Sequence, residues 1–180
     1  MRLVILDRDG VINEDSAAYI KSPEEFIPIP GSLEAIARLN RHGFTVMVAT
    51  NQSGLARGLF DRSTLQAMHE KLQSLLERKG GHIDGIFVCP HGPDDDCDCR
   101  KPRPGLYLQI AKQLDVPLAG VPIIGDSLRD LQAARIVGAQ PILVRTGKGE
   151  QTLARGEDLH DVPVYTDLAA AVEGLLAAQG

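Results

Sequence analysis

Two carboxylates two residues apart, Asp7 and Asp9, end the first apolar run of a 180-residue chain, in Leu3-Val-Ile-Leu-Asp7-Arg-Asp9-Gly10-Val-Ile-Asn13. Four apolar residues stopped by charge and then glycine predict a short strand buried on both faces. Residues two apart on an extended backbone point the same way, so both carboxylates leave the carboxyl end of that strand together. Open α/β sheets bind ligands at that end. Like charges so close repel unless a cation lies between them or one takes a proton, and hard oxygen ligands suit Mg²⁺. The plain alternative is an acidic turn, where Asp and Gly are common.

Three more stretches carry chemistry after apolar runs. Thr50-Asn51-Gln52-Ser53-Gly54 offers a hydroxyl and the amides of a glycine-containing turn, a cradle for phosphate, although the same residues also make ordinary turns. Arg100-Lys101-Pro-Arg-Pro104-Gly105 supplies the positive charge that phosphoryl transfer needs. Basic clusters are usually solvated faces, but this one is pinned between prolines and a helix start. Gly125-Asp126-Ser127-Leu-Arg129-Asp130 puts two more carboxylates beyond a fourth strand.

All three cysteines fall in Cys89-x-His91-x₅-Cys97-x-Cys99. Three thiolates and an imidazole within eleven residues match the closed Cys₃His set of structural Zn²⁺. The alternatives are a disulfide with a spare thiol, or exposed cysteines in an acidic loop. The odd count, the poor placement of Cys97 against Cys99 and a reducing compartment all favour zinc. A closed zinc site would hold the loop rigid just before Arg100 and Lys101.

The elements that must position these residues alternate. Strands are expected at Leu3 to Leu6, Phe44 to Thr50, Ile86 to Cys89, Val121 to Gly125 and Pro141 to Arg145, with an edge strand at Val162 to Tyr165. Between them, apolar residues at helical spacing predict a helix capped by Ser32, one capped by Asp61 with Leu65, Met68, Leu72 and Leu76 inward, and one opened by Pro104-Gly105. A fourth helix runs from about Ser127 to Val137, and a last one starts at Thr166 or Asp167. Residues 14–30 and 146–161 read as loops. The alternation gives an α/β fold, a doubly wound parallel sheet with helices on both faces, as one domain over 1–180. With 19 basic and 24 acidic residues the net charge is −5, no footprint for nucleic acid or an anionic membrane. The chain lacks an apolar run of about 20 residues and a signal-peptide pattern, so the expectation is a cytoplasmic protein.

Asp7-Arg-Asp9-Gly10-Val-Ile-Asn13 resembles the first motif of the haloacid dehalogenase (HAD) superfamily of phosphohydrolases, and the other motifs follow in order. The resemblance implies that Asp7 is the nucleophile and Asp9 the acid/base. Thr50 matches the second motif and Lys101 the third. Asp126 matches the fourth, joining the Asp7 carboxylate and the Asp9 carbonyl around Mg²⁺, while Asp130 orients Lys101 or caps its helix. A capless HAD core with this cysteine loop before Cys99-Arg-Lys-Pro-Arg-Pro-Gly105 is similar to the D-glycero-D-manno-heptose 1,7-bisphosphate phosphatases over almost the whole chain. That likeness implies Asp15, Asn51, Gln52, Ser53, Arg57 and Arg100 as substrate contacts, Arg100 gripping a second phosphate as a fork. It further implies removal of a sugar 7-phosphate on the way to the activated heptose of lipopolysaccharide; the expected partner is a small phosphorylated sugar, with no nucleic acid or membrane, and the expected state a monomer. Histidinol-phosphate phosphatase is the nearest rival, and a zinc-stabilised interaction module with a dead core is the non-enzymatic one. A 3′-phosphatase acting on DNA ends is another relative, but seven Phe and Tyr residues and no Trp leave no platform for bases.

Overall fold

The computed structural model describes residues 1–179. Six parallel strands form one sheet in the order β3-β2-β1-β4-β5-β6: β1 (Arg2–Leu6), β2 (Phe44–Asn51), β3 (Gly85–Cys89), β4 (Pro122–Gly125), β5 (Gln140–Val144) and β6 (Val164–Tyr165). β1 has β2 on one side and β4 on the other, so the connections leave it in opposite directions. That reversal opens a crevice beyond the carboxyl ends of β1 and β4, where Asp7 and Asp126 stand.

Strand alternation divides the interior into two cores. Val4, Leu6, Val46 and Val48 face one side, against Ile36 and Leu39 of α1 (Ser32–Arg41) and Met68 and Leu72 of α2 (Arg62–Glu77). The last helix, α6 (Leu168–Gln179), packs on the same face through Leu168 and Val172. Leu3, Ile5, Met47 and Ala49 face the other side against α3 (Gly105–Leu114) and α4 (Leu128–Ile136). Both faces are covered, which is why the strands read as near-continuous apolar runs.

Two local expectations change. Ser32 does not cap α1: Gly31, in the left-handed region at φ 88°, holds the cap position, and the Ser32 hydroxyl instead donates to the Val11 carbonyl at 2.9 Å, tying the loop after β1 to the helix. Residues 146–161 are not all loop, because Gly149–Arg155 form α5 beside the crevice. Asp61 does cap α2, accepting from the Thr64 amide at 2.8 Å, and Asp167 receives the Ala170 amide at the start of α6.

Candidate active site

At the carboxyl ends of the central strands lies a cavity of about 310 Å³ lined by Asp7, Asp9, Thr50, Lys101, Asp126 and the rim described below. Its floor is a buried charge cluster. Lys101 Nζ lies 2.6 Å from Asp130 Oδ1, 3.1 Å from Asp7 Oδ1 and 2.8 Å from the Ala49 carbonyl. Burial opposes the lysine charge, but the two carboxylates outweigh it and raise its pKa. Asp130 Oδ2 accepts from the amides of Asp126 and Ser127 and from the Ser127 hydroxyl, so this side chain both orients Lys101 and boxes the start of α4.

Asp7, Asp126 and Asp130 present carboxylate oxygens within 4.8 Å of one another. Three acids against one lysine leave the floor short of positive charge. Burial, then the charge of Asp130, pushes Asp7 up to about 7, and burial with Asp7 and Asp130 raises Asp126 well above the usual range. A divalent cation between Asp7 and Asp126 fits that donor set, since hard oxygens and excess negative charge are what Mg²⁺ requires. Space is made by glycine. A Cβ on Gly10 or Gly147 would collide with Asp126 Oδ2, and both residues adopt positive φ, 84° and 58°.

Asp9 is held differently. Its Oδ1 accepts from Arg8 Nε (3.0 Å), Arg8 Nη2 (2.7 Å) and Asn13 Nδ2 (2.9 Å), and its Oδ2 from Gln52 Nε2 (3.1 Å). Burial alone would raise its pKa, but the Arg8 charge and these donors hold it below the usual carboxylate range. Gln52 Nε2 also donates to Thr50 Oγ1 at 2.9 Å, and Asn51 joins its loop to the third stretch through Lys101 N (3.0 Å) and the Lys101 carbonyl (3.1 Å). Ser53 lines the cavity as well.

The rim is basic. Arg57, Arg100, Arg129 and Lys148 all line the cavity, and burial followed by the charges of Arg129 and Arg57 lowers the Arg100 pKa. Arg57 stacks over the Tyr19 ring at 5.6 Å, and Tyr19 sits at φ 68° on the loop after β1. Asp15 lines the cavity but is paired with Lys148 Nζ at 2.6 Å. Arg129 and Lys148 escape a reading of the sequence alone. Lys148 follows β5 at the same sheet edge as the other site residues, and that position is the signal which could have found it.

The cysteine loop comes together only in part. Sγ of Cys89 lies 2.8 Å from that of Cys99 and 4.0 Å from that of Cys97, all three thiols being free. Burial and mutual crowding push Cys99 up to about 12 and raise Cys89. The Cys97 pKa is lowered despite burial, by the Arg100 amide, and a cation would draw the other two thiols to thiolates as well, which suits zinc. His91 does not join it: the residue is exposed and lines a shallow groove with Phe60 and Pro90, while its backbone touches the site, the amide on Cys89 and the carbonyl accepting from Arg100 Nη1 at 3.2 Å.

This fold, with Asp7, Thr50 and Asp126 at the ends of β1, β2 and β4 and Lys101 in the loop between β3 and α3, is that of the HAD-like hydrolases. A family model described as HAD-hydrolase-like matches residues 98–171, and one described as polynucleotide kinase 3 phosphatase matches residues 4–127, the part that carries all four of those positions. The D-glycero-beta-D-manno-heptose-1,7-bisphosphate 7-phosphatase of Bordetella bronchiseptica is 60% identical over 176 residues, 98% of each chain. The crystal structure of the D,D-heptose 1,7-bisphosphate phosphatase of that organism, complexed with magnesium and phosphate, superposes with a TM-score of 0.97 over 99% of both chains. The corresponding phosphatase of Burkholderia thailandensis, 45% identical, gives 0.79 over 98% of this chain and 99% of that one. The chain belongs to the D-glycero-beta-D-manno-heptose-1,7-bisphosphate 7-phosphatase family.

Proposed function

We propose that this protein is a Mg²⁺-dependent phosphatase that removes the 7-phosphate of D-glycero-β-D-manno-heptose 1,7-bisphosphate, in making the activated heptose of lipopolysaccharide. The 60% identity to a relative of that name over 98% of both chains carries the reading. The β anomer is the one named for that relative. We also take the 180 residues as one cytoplasmic domain that works as a monomer. No helix among the described residues is long and apolar enough to cross a membrane.

Asp7 attacks phosphorus in line as the bond to the sugar oxygen breaks, forming an aspartyl phosphate, and Asp9, which must first take up a proton against the pull of Arg8, gives it to the departing alkoxide. Asp9 then takes a proton from the water that attacks the aspartyl phosphate, which releases inorganic phosphate and frees Asp7. Thr50, the amides of its turn and Lys101 hold the oxygens of the transferring group. Bound by the carboxylates of Asp7 and Asp126 and the carbonyl of Asp9, Mg²⁺ would supply the remaining charge neutralisation. Arg57, Arg100 and Arg129 line one rim of the cavity and suit the second phosphate, with Asp15, Asn51, Gln52 and Ser53 near the sugar or the phosphate. Zn²⁺ on Cys89, Cys97 and Cys99, with His91 turned in as fourth ligand, would hold the loop that presents Arg100 and Lys101.

Phosphate release from β-heptose 1,7-bisphosphate and from histidinol phosphate, measured side by side with Mg²⁺, tests the reading. The expected outcome is a kcat/KM at least about 10³-fold higher for the bisphosphate, with ³¹P NMR showing loss of the 7-phosphate. Preference for histidinol phosphate, or silence on both, would overturn it.

A further inference from the structure

Arg8 stands between the two catalytic carboxylates, where strand alternation turns it away from the cavity. It is wholly buried, the largest side chain in the protein to be so. A guanidinium taken out of water costs several kcal/mol unless every donor edge is satisfied. Here each edge is. Nε and Nη2 both reach back to Asp9 Oδ1, at 3.0 and 2.7 Å, while Nη1 lies 3.2 Å from His69 Nε2 and 3.9 Å from Met68 Sδ on α2. The Phe26 ring covers the flat face at 5.4 Å. A guanidinium only donates, so His69 Nε2 accepts and the imidazole proton resides on Nδ1.

The two oxygens of Asp9 are therefore unequal. Oδ1 receives three donors, two from Arg8 and one from Asn13, while Oδ2 receives one, from Gln52 on the cavity side. We propose that Arg8, braced by His69, is a positioning residue that commits Asp9 Oδ1 entirely and leaves Oδ2 as the oxygen that carries the catalytic proton. The inference rests on the reading of Asp9 as acid/base. As the Asp7–phosphorus bond forms and the ester bond breaks, the proton on Oδ2 passes to the sugar oxygen; in the second step Oδ2 takes one proton from the attacking water. A carboxylate free to rotate would offer either oxygen, and its proton would miss the leaving group in part of the encounters.

The test is Arg8→Met, assayed on the heptose bisphosphate and on p-nitrophenyl phosphate, whose phenolate leaves without a proton. The expected result is a kcat on the sugar lowered about 100-fold with KM held within about 3-fold. On p-nitrophenyl phosphate a burst of one phenol per enzyme should precede slow turnover, because only the second step still needs Asp9. Parental kcat on the sugar, or equal losses on both substrates without a burst, would overturn the proposal. If Arg8→Met does not fold, the half-buried His69 decides: His69→Leu should lower kcat about 10-fold at constant KM, and His69→Gln, whose amide oxygen can accept from Nη1, should restore it. Unchanged kcat in His69→Leu then overturns it. Asp9→Asn separates the two failures. Full sugar turnover in that variant removes the reading of Asp9 itself, whereas a silent Asp9→Asn beside a fully active Arg8→Met removes only the role of Arg8.

Discussion

Lys101 and Asp130 meet at 2.6 Å with both side chains sealed from water, and the same lysine leans 3.1 Å onto Asp7. Removing one partner of a buried pair strands the other charge. Asp130→Asn is expected to lose about 3–5 kcal/mol of stability in urea unfolding and to lower kcat as Lys101 swings off Asp7. A variant of parental stability and rate would show that Asp130 neither balances nor orients the lysine.

Asp7→Asn should abolish turnover, by at least about 10³-fold, and abolish phosphoenzyme labelling, yet fold normally. It removes one of three crowded acids from the floor, so its urea midpoint should equal or exceed that of the parent. Residual labelling would move the nucleophile elsewhere.

The raised pKa values of Asp7 and Asp126 set a sign for pH dependence. Asp7 rises from 3.8 to about 7 on folding, so between those values the folded state binds more protons than the unfolded one. Stability without metal from this source is greatest at low pH and falls as pH rises toward 7. Mg²⁺ binds the ionised pair, so the gain in Tm on adding Mg²⁺ should be larger at pH 8 than at pH 5, by at least about 3 °C. A pH-independent gain would place the metal off these carboxylates.

Arg100 and Arg129 should act on the second phosphate. Arg100→Ala or Arg129→Ala is expected to raise KM for the bisphosphate roughly 10- to 100-fold, the worth of one charged hydrogen bond, with a far smaller effect on heptose 7-phosphate. Equal changes on both substrates would assign these arginines to the reacting phosphate.

Zinc removal should lower activity by loosening Arg100 and Lys101. A chelated protein with stoichiometric zinc lost and full activity retained would contradict the role given to Cys89, Cys97 and Cys99. Metal analysis of His91→Ala separates a Cys₃His site from a thiolate-only one.

Much of the site is legible in local pattern. Asp7, Thr50, Cys89 and Asp126 each close or follow an apolar run, and the alternating elements place those ends on one edge of a parallel sheet. Asp61 capping α2 is legible for the same reason, since a cap acts within three residues. Ser32 fails as a cap because Gly31 takes the turn and a distant carbonyl, that of Val11, claims the hydroxyl. The helix Gly149–Arg155 leaves no such mark, because its seven residues are too few to show a periodic face.

The sequence by itself determined the order of strands and helices, the carboxylates and basic residues at the strand ends, and the gathering of three cysteines into one loop, all consequences of short-range pattern. Only the tertiary structure decided that Lys148 meets Asp15 across 133 residues, that Arg129 joins the rim, that Arg8 turns back to Asp9 under His69, and that His91 stays outside the thiol cluster. Those contacts depend on where long side chains point once helices pack on the sheet. That direction is set by neighbours far along the chain, and no local spacing encodes it.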